Sequence, residues 1–209
     1  ATGSSSGSRR KPSAHAAGRR AYTPFRRRVT DMGVVVYEID QHDRLVFVND
    51  EWDTFALLND GANVTRRSIL THSLWEFISD ATTQQIYRKM LARIRMGRNV
   101  QFQFRCDSPE CVQLLEMTVF AVGDRVRFET RTVTADERPA VPLLDIHMPR
   151  AEDFLRVCAW CSRVLAEGLW KHVEEAMPSL GLHESPALPQ ISHGMCPDCV
   201  TRVMAEIPL

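Results

Sequence analysis

Residues 100–133 read VQFQFRCDSPECVQLLEMTVFAVGDRVRFETRTV, and their alternation decides the fold. Val100, Phe102 and Phe104 alternate with Gln101, Gln103 and Arg105; Leu115, Met117, Val119 and Ala121 repeat the period; Val126 and Phe128 alternate with Arg125 and Arg127. A period of two sends successive side chains to opposite faces, so the stretch reads as three half-buried strands. Gly123-Asp124 supplies the second turn. Cys106 and Cys111 flank Asp107-Ser108-Pro109-Glu110, the loop between the first two strands. They read as free thiols, with a switchable disulfide or a weak second metal site as the alternatives.

Working upstream, Ile86, Tyr87, Met90, Leu91 and Ile94 mark one face of a long helix that Ser79 or Asp80 can cap and Gly97 can end. Before it, Ser68–Phe77 reads as short helices around Trp75. Asn49-Asp50-Glu51 opens another helix whose inward stripe is Trp52, Phe55 and Ala56. Gly33–Ile39 and Arg44–Val48 form a hairpin across the turn Asp40–Asp43, with Leu45 and Phe47 on one face and Val46 and Val48 on the other. The order is two strands, short helices, a long helix and three strands. An α+β fold follows: a five-stranded antiparallel sheet with helices on one face.

Downstream, Cys158-Ala159-Trp160-Cys161 and Cys196-Pro197-Asp198-Cys199 form two Cys-x-x-Cys pairs separated by 34 residues. Each pair makes a tight turn aiming two thiolates at one point, and two such turns complete a tetrahedral Zn²⁺ shell. The expectation is one zinc per chain, held by Cys158, Cys161, Cys196 and Cys199 in a small C-terminal four-cysteine module, with a helix and loop inserted between the knuckles. Four thiolates leave no open coordination position, which favours a structural or sensing site. His193, three residues before Cys196, is a candidate to hydrogen-bond a ligand sulfur or to serve as an alternative ligand. Neither pair is followed by His, since Ser162 and Val200 stand there, which argues against covalent c-type haem.

From these residues the chain is expected to be organised as a disordered basic arm at 1–28, a sheet domain at 29–134, a Pro-containing linker at 135–152 and the zinc module at 153–209. The acidic turn, the strand ending in Asn49, the aromatic Trp52, the helical connector and the three-stranded meander together resemble the PAS sensor domains over roughly residues 31–134. The run from Phe154 to Val164, then Gly168-Leu169-Trp170, Val173–Ala176 and Ser192–Cys199, resembles a cysteine-rich module appended to bacterial PAS-containing signalling proteins. The PAS resemblance implies a ligand inside the sheet. Phe47, Trp75, Phe102, Phe104 and Phe128 are candidates to line such a pocket, against the reading that they simply fill the core. It also raises cofactor questions: an Asn-Cys-Arg flavin motif is not present, and His72 is the one placed His for a b-type haem, against the reading of a surface or capping residue. Neither flavin nor c-type haem is expected.

Composition sets the remaining bounds. At 209 residues and 44% hydrophobic content the chain can bury a core. Formal net charge is zero, but residues 1–28 hold eight Arg or Lys and no acid, leaving 18 basic against 26 acidic side chains, a balance of −8, on the rest. Arg9, Arg10, Arg19, Arg20, Arg26, Arg27 and Arg28 open the arm to nucleic acid, an acidic partner or anionic lipid, against the reading of a solubilising tail. No apolar run reaches membrane-spanning length, and Cys usage fits a reducing compartment, so the expectation is a cytoplasmic protein. There is no glycine-rich phosphate loop, Gly-x-Ser-x-Gly elbow or His-Glu-x-x-His helix. The expected function is non-enzymatic bacterial signalling or regulation through protein association, self-association included. The rivals are a thiol/zinc redox or metal sensor and a nucleic-acid-binding regulator.

Overall fold

The computed structural model describes residues 32–59, 61–182 and 185–206; the arginines of the basic arm lie outside them. Strands β1 (Val35–Ile39) and β2 (Leu45–Val48) pair across a turn in which the Asp40 carboxylate accepts from the amides of His42 and Arg44 at 2.8 and 2.9 Å. Strict alternation fails in β2. Glu38 pairs with Phe47 but Ile39 with Leu45, so one residue bulges out of the ladder. The bulge puts Leu45 and Val48 together in the core and leaves Phe47 39% exposed, which corrects the face assignment read from alternation.

Helix α1 (Asp50–Leu58) begins where Asn49 accepts from the Trp52 amide at 3.2 Å and also ties back to β1 through Val36 and Val34. The short helix α2 (Arg66–Ile69) and a 3-10 turn at Leu74–Glu76 lead to α3 (Ala81–Ile94). Asp80 caps α3, its Oδ2 accepting from the Thr83 amide and hydroxyl at 2.8 Å each. The buried stripe is Thr83, Ile86, Met90, Leu91 and Ile94, and Gly97 turns the chain away at φ 86°.

The alternating stretch then forms β3 (Val100–Arg105), β4 (Cys111–Val122) and β5 (Arg125–Glu137). All five strands are antiparallel, in the order β2-β1-β5-β4-β3. One face buries Tyr37, Ile39, Phe102, Val119, Val126 and Phe128 under the helices. The other carries polar side chains, among them Glu38 with Arg125 and Arg127, and Glu116 with Arg131. The fold is therefore α+β, a five-stranded antiparallel sheet with helices on one face.

The stretch 135–152 divides between the end of β5, a 3-10 turn at Pro142–Leu144 and the start of β6 (Arg150–Cys158). Leu143 is fully buried there, with Val141, Leu155 and Val157. A second sheet follows, of order β8-β7-β6-β9, comprising β6, β7 (Val164–Ala166), β8 (Leu169–Lys171) and β9 (Leu188–Gly194), with α4 (Val173–Ser179) between β8 and β9. Strand β9 runs parallel to β6, the others antiparallel. The segment between the knuckles is thus a hairpin, a helix and a strand, where a helix and loop were expected. Helix α5 (Pro197–Glu206) closes the described chain. No described helix is long and apolar enough to cross a membrane.

The two sheets are not separate bodies. Cys158, Trp160, Met195, Cys196, Cys199 and Val203 belong to the same buried cluster as Phe102, Ile86 and Phe128. The seam is also polar. The Arg105 amide donates to the Trp160 carbonyl at 2.9 Å, and Arg138, itself buried, bridges Asp107 at 3.2 Å and Glu174 of α4 at 2.6 Å.

Candidate functional site

Four sulfurs converge at the seam. Those of Cys158, Cys161, Cys196 and Cys199 all lie within 4.8 Å of one another. Cys158 ends β6, and a tight turn returns the chain to β7: Ser162 N donates to Cys158 O at 2.9 Å and Cys158 N to Arg163 O at 2.7 Å. Ser162 takes φ 58° to make that turn. The second knuckle is a helix start. Cys196 precedes α5, Pro197 sits at its first position where no amide is needed, and the Cys199 amide donates to Cys196 Sγ at 3.4 Å. The Cys196 sulfur thus takes up one of the amides that the first turn of α5 leaves free.

A tetrahedral shell with metal–sulfur bonds of about 2.3 Å places sulfurs about 3.8 Å apart. Cys161 Sγ and Cys196 Sγ are 3.7 Å apart. Further donors surround the cluster: Cys196 N reaches Cys158 Sγ at 3.3 Å and Arg202 lies 3.9 Å from Cys199 Sγ. Among themselves the sulfurs compete for protons. Hydrogen bonds from Cys161 and Cys199 hold the Cys158 thiol far below its ordinary range, and the bond to Cys158 pushes Cys161 up to about 11. A cation at the centre ends that competition, because every ligand must then be deprotonated. The four cysteines fit a metal ion. His193 is not in the group; it is exposed on β9, paired opposite Val157.

Beside this centre the sheet body holds an apolar cavity of about 400 Å³. Tyr37, Trp52, Val64, Ile69, Tyr87 and Met117 are among its walls. Burial raises the Tyr87 hydroxyl to about 12, so it is a neutral wall group. Of the five aromatics singled out from sequence, Phe104 lines this cavity. Phe102 lines a smaller hollow next to it and packs on Trp160, ring centres 5.2 Å apart. Phe128 is wholly buried beneath Tyr37, stacked at 4.3 Å. Phe47 is on the opposite face, turned there by the β2 bulge. Trp75 sits apart, its indole donating to Asp43 at 2.9 Å under the Arg88 guanidinium. His72 is exposed and 2.9 Å from Glu76, a surface pair. Cys106 lines the cavity, and burial followed by the neighbouring Asp107 charge pushes its thiol up to about 11; Cys111 is buried against Ala135.

Sequence reasoning passed over Trp160. Between two ligand positions it reads as spacer, yet it is 4% exposed and packs on Phe102 and, at 6.0 Å, on Tyr87. An aromatic inside a Cys-x-x-Cys turn was the available signal, since so large a side chain needs a neighbouring body to bury it.

Solved structures, a PAS domain among them, are similar to this chain over about half of its length. The PAS domain of the RpfR quorum-sensing receptor of Cronobacter turicensis, solved with BDSF, is 13% identical, with 48% of this chain and 94% of that one covered and a TM-score of 0.36. A domain of an HTR-like protein from Haloarcula marismortui is 11% identical, covering 48% and 98%, with a TM-score of 0.34. A sensory box sensor histidine kinase from Vibrio cholerae is 12% identical, covering 49% and 83%, with a TM-score of 0.35. No family model and no curated protein matches the chain.

Proposed function

We propose that this chain is a sensory signalling protein without chemistry of its own. The sheet body receives a small apolar ligand in its cavity, one zinc on Cys158, Cys161, Cys196 and Cys199 fixes the C-terminal module, and their joint surface docks a protein partner. The observation that carries this reading is the packing of Tyr87, a cavity wall, and Phe102 on Trp160 inside the first knuckle. A change of cavity contents is thereby felt at the metal loop through contiguous, closely packed side chains. The balance of −8 on residues 29–209 favours a partner with a basic surface, steered by opposite charge. Paired thiols kept as metal ligands fit a reducing, cytoplasmic setting.

Elemental analysis of purified protein should give one zinc per chain, and each Cys→Ser variant of the four should lose it. Pull-down at low salt should recover a partner, or self-association, that weakens as salt is added. Retention of stoichiometric zinc by all four variants would refute the metal assignment; a strictly monomeric chain with no partner would refute the association mechanism.

A redox-sensing reading has its own support, because Cys161 is partly exposed while the other three sulfurs belong to buried residues. An oxidant would meet that thiolate first. Zinc release by mild peroxide, reversed by thiol, is its test. The nucleic-acid reading rests on the arginine arm, and binding that falls steeply with salt would support it.

A further inference from the structure

The apolar cavity has a neighbour on the side of the four-cysteine cluster. A second hollow of about 330 Å³ shares Phe77, Ile78, Tyr87, Phe104 and Met117 with it and is bounded beyond them by Ala159, Trp160 and His193. The N-terminal turn of α3 adds Ser79, Asp80 and Thr83. The Asp80 carboxylate is already engaged, Oδ2 by the Thr83 amide and hydroxyl and Oδ1 by Arg156 at 3.4 Å. A carboxylate on the ligand would meet the Asp80 charge and a cation would have to displace Arg156 from it, so an uncharged group is the one that disturbs neither. Trp160 is in a different position. Its indole Nε1–H is buried, and no described group accepts it. Buried donors without acceptors are uncommon in folded proteins, so this one points to an acceptor supplied from outside the chain.

We infer that the two hollows form one elongated site, whose occupant is a neutral, extended amphiphile with an uncharged hydrogen-bond acceptor, such as a ketone or ester carbonyl, at its Trp160 end. The inference rests on the ligand-binding role proposed for the first cavity. It adds the second hollow, the acceptor and the donor that reads it. The alkyl body lies among Tyr37, Val64 and Met117, passes the shared wall at Phe104 and Tyr87, and presents its carbonyl to the knuckle.

The test uses the full, metal-loaded chain and displacement of the neutral fluorophore N-phenylnaphthylamine. Straight-chain methyl ketones from octyl to tetradecyl length compete with it, as do terminal alkenes of the same lengths. Affinity for the ketones should rise through the whole series. Trp160→Phe, which keeps the apolar bulk and removes the donor, should weaken the long ketones about tenfold and leave the alkenes unchanged. Ala159→Leu, which narrows the second hollow, should end the gain at the short ketones. The length series on the unaltered chain needs no variant to fold. A plateau at the short ketones there, or equal weakening of ketones and alkenes by Trp160→Phe, overturns the two-hollow site and leaves the first cavity's role standing. If neither series displaces the fluorophore at any length, both readings fall.

Discussion

Glu38 stands on the polar face of the sheet yet is only 5% exposed, because two arginines of β5 fold over it. Arg127 grips one carboxylate oxygen through Nε and Nη2 at 2.8 and 2.6 Å, and Arg125 reaches the other at 3.1 Å. Burial alone would raise this carboxyl above its ordinary 4.5, but the bonds to Arg127 and then Arg125 outweigh it and the net shift is downward. A carboxyl depressed in the folded state adds stability above its unfolded range, and that stability is lost as pH falls through the folded value. Glu38→Gln should therefore cost about 1–3 kcal/mol at neutral pH, since it keeps the shape and removes the charge. The gap between variant and parent should close in acid well below pH 4.5. Thermal melts of both proteins across that range measure it; a gap that stays constant with pH would mean the arginines are held by something else.

At the scale of elements, what could be read from sequence was whatever repeats over a long enough window. The strands of the meander and helix α3 each run for 6 residues or more, and their periods locate them, though β4 already begins at Cys111, before the alternation read from Leu115, and β5 runs past Val133 to Glu137. Strands β7 and β8 have 3 residues each, too few to show any period. Their turn is also disguised: Glu167 and Gly168 take φ 52° and 79°, the two left-handed positions of a tight hairpin, without the usual Asn-Gly or Asp-Gly. The parallel pairing of β6 with β9 is non-local, and nothing within either strand announces its partner. Cysteine spacing, by contrast, located all four sulfurs of the cluster, since each knuckle is a local structure. The cavity was harder. Its walls come from β1, α1, α3, β3 and β4 together, and of five aromatics chosen by alternation one faces it. The hairpin gives a direct test. Gly168 has open space where a Cβ would sit but a positive φ, so Gly168→Ala should cost about 1 kcal/mol by backbone strain alone. Urea denaturation reads that loss, and no loss would mean the turn relaxes without penalty.

Gly194 joins the second knuckle to the rest of the seam. A Cβ there would lie 2.1 Å from Arg156 Nε, because that side chain lies across the glycine to reach Asp80 at the start of α3. Arg156 is half-exposed and able to swing away, and an exposed pair of this kind contributes little. Gly194→Ala should accordingly cost under about 1 kcal/mol and leave metal content intact. Loss of metal in that variant would show that the glycine shapes the knuckle itself.

At the scale of the whole molecule, the four-cysteine cluster and the sheet body share one core, and this changes what removing a metal bound there should do. A module merely tethered by residues 135–152 would melt by itself when its ion was stripped, leaving the sheet untouched. Here Trp160 is held by Phe102 and Tyr87 on one side and by the Cys158–Cys161 turn on the other, and Arg138 ties the β3–β4 loop to α4. Binding free energy of a structural ion is folding free energy for whatever it is packed against. Chelation, or Cys199→Ser, should therefore lower the melting temperature of the entire chain in a single transition. Calorimetry with and without a chelator, with near-ultraviolet circular dichroism on the buried aromatics, distinguishes the cases. Two transitions, the upper one unmoved by chelator, would show that the shared core does not couple the halves. One transition that moves with metal would also make ligand and metal reciprocal: whatever fills the hollows against Trp160 should tighten metal binding by the same factor by which metal tightens its own.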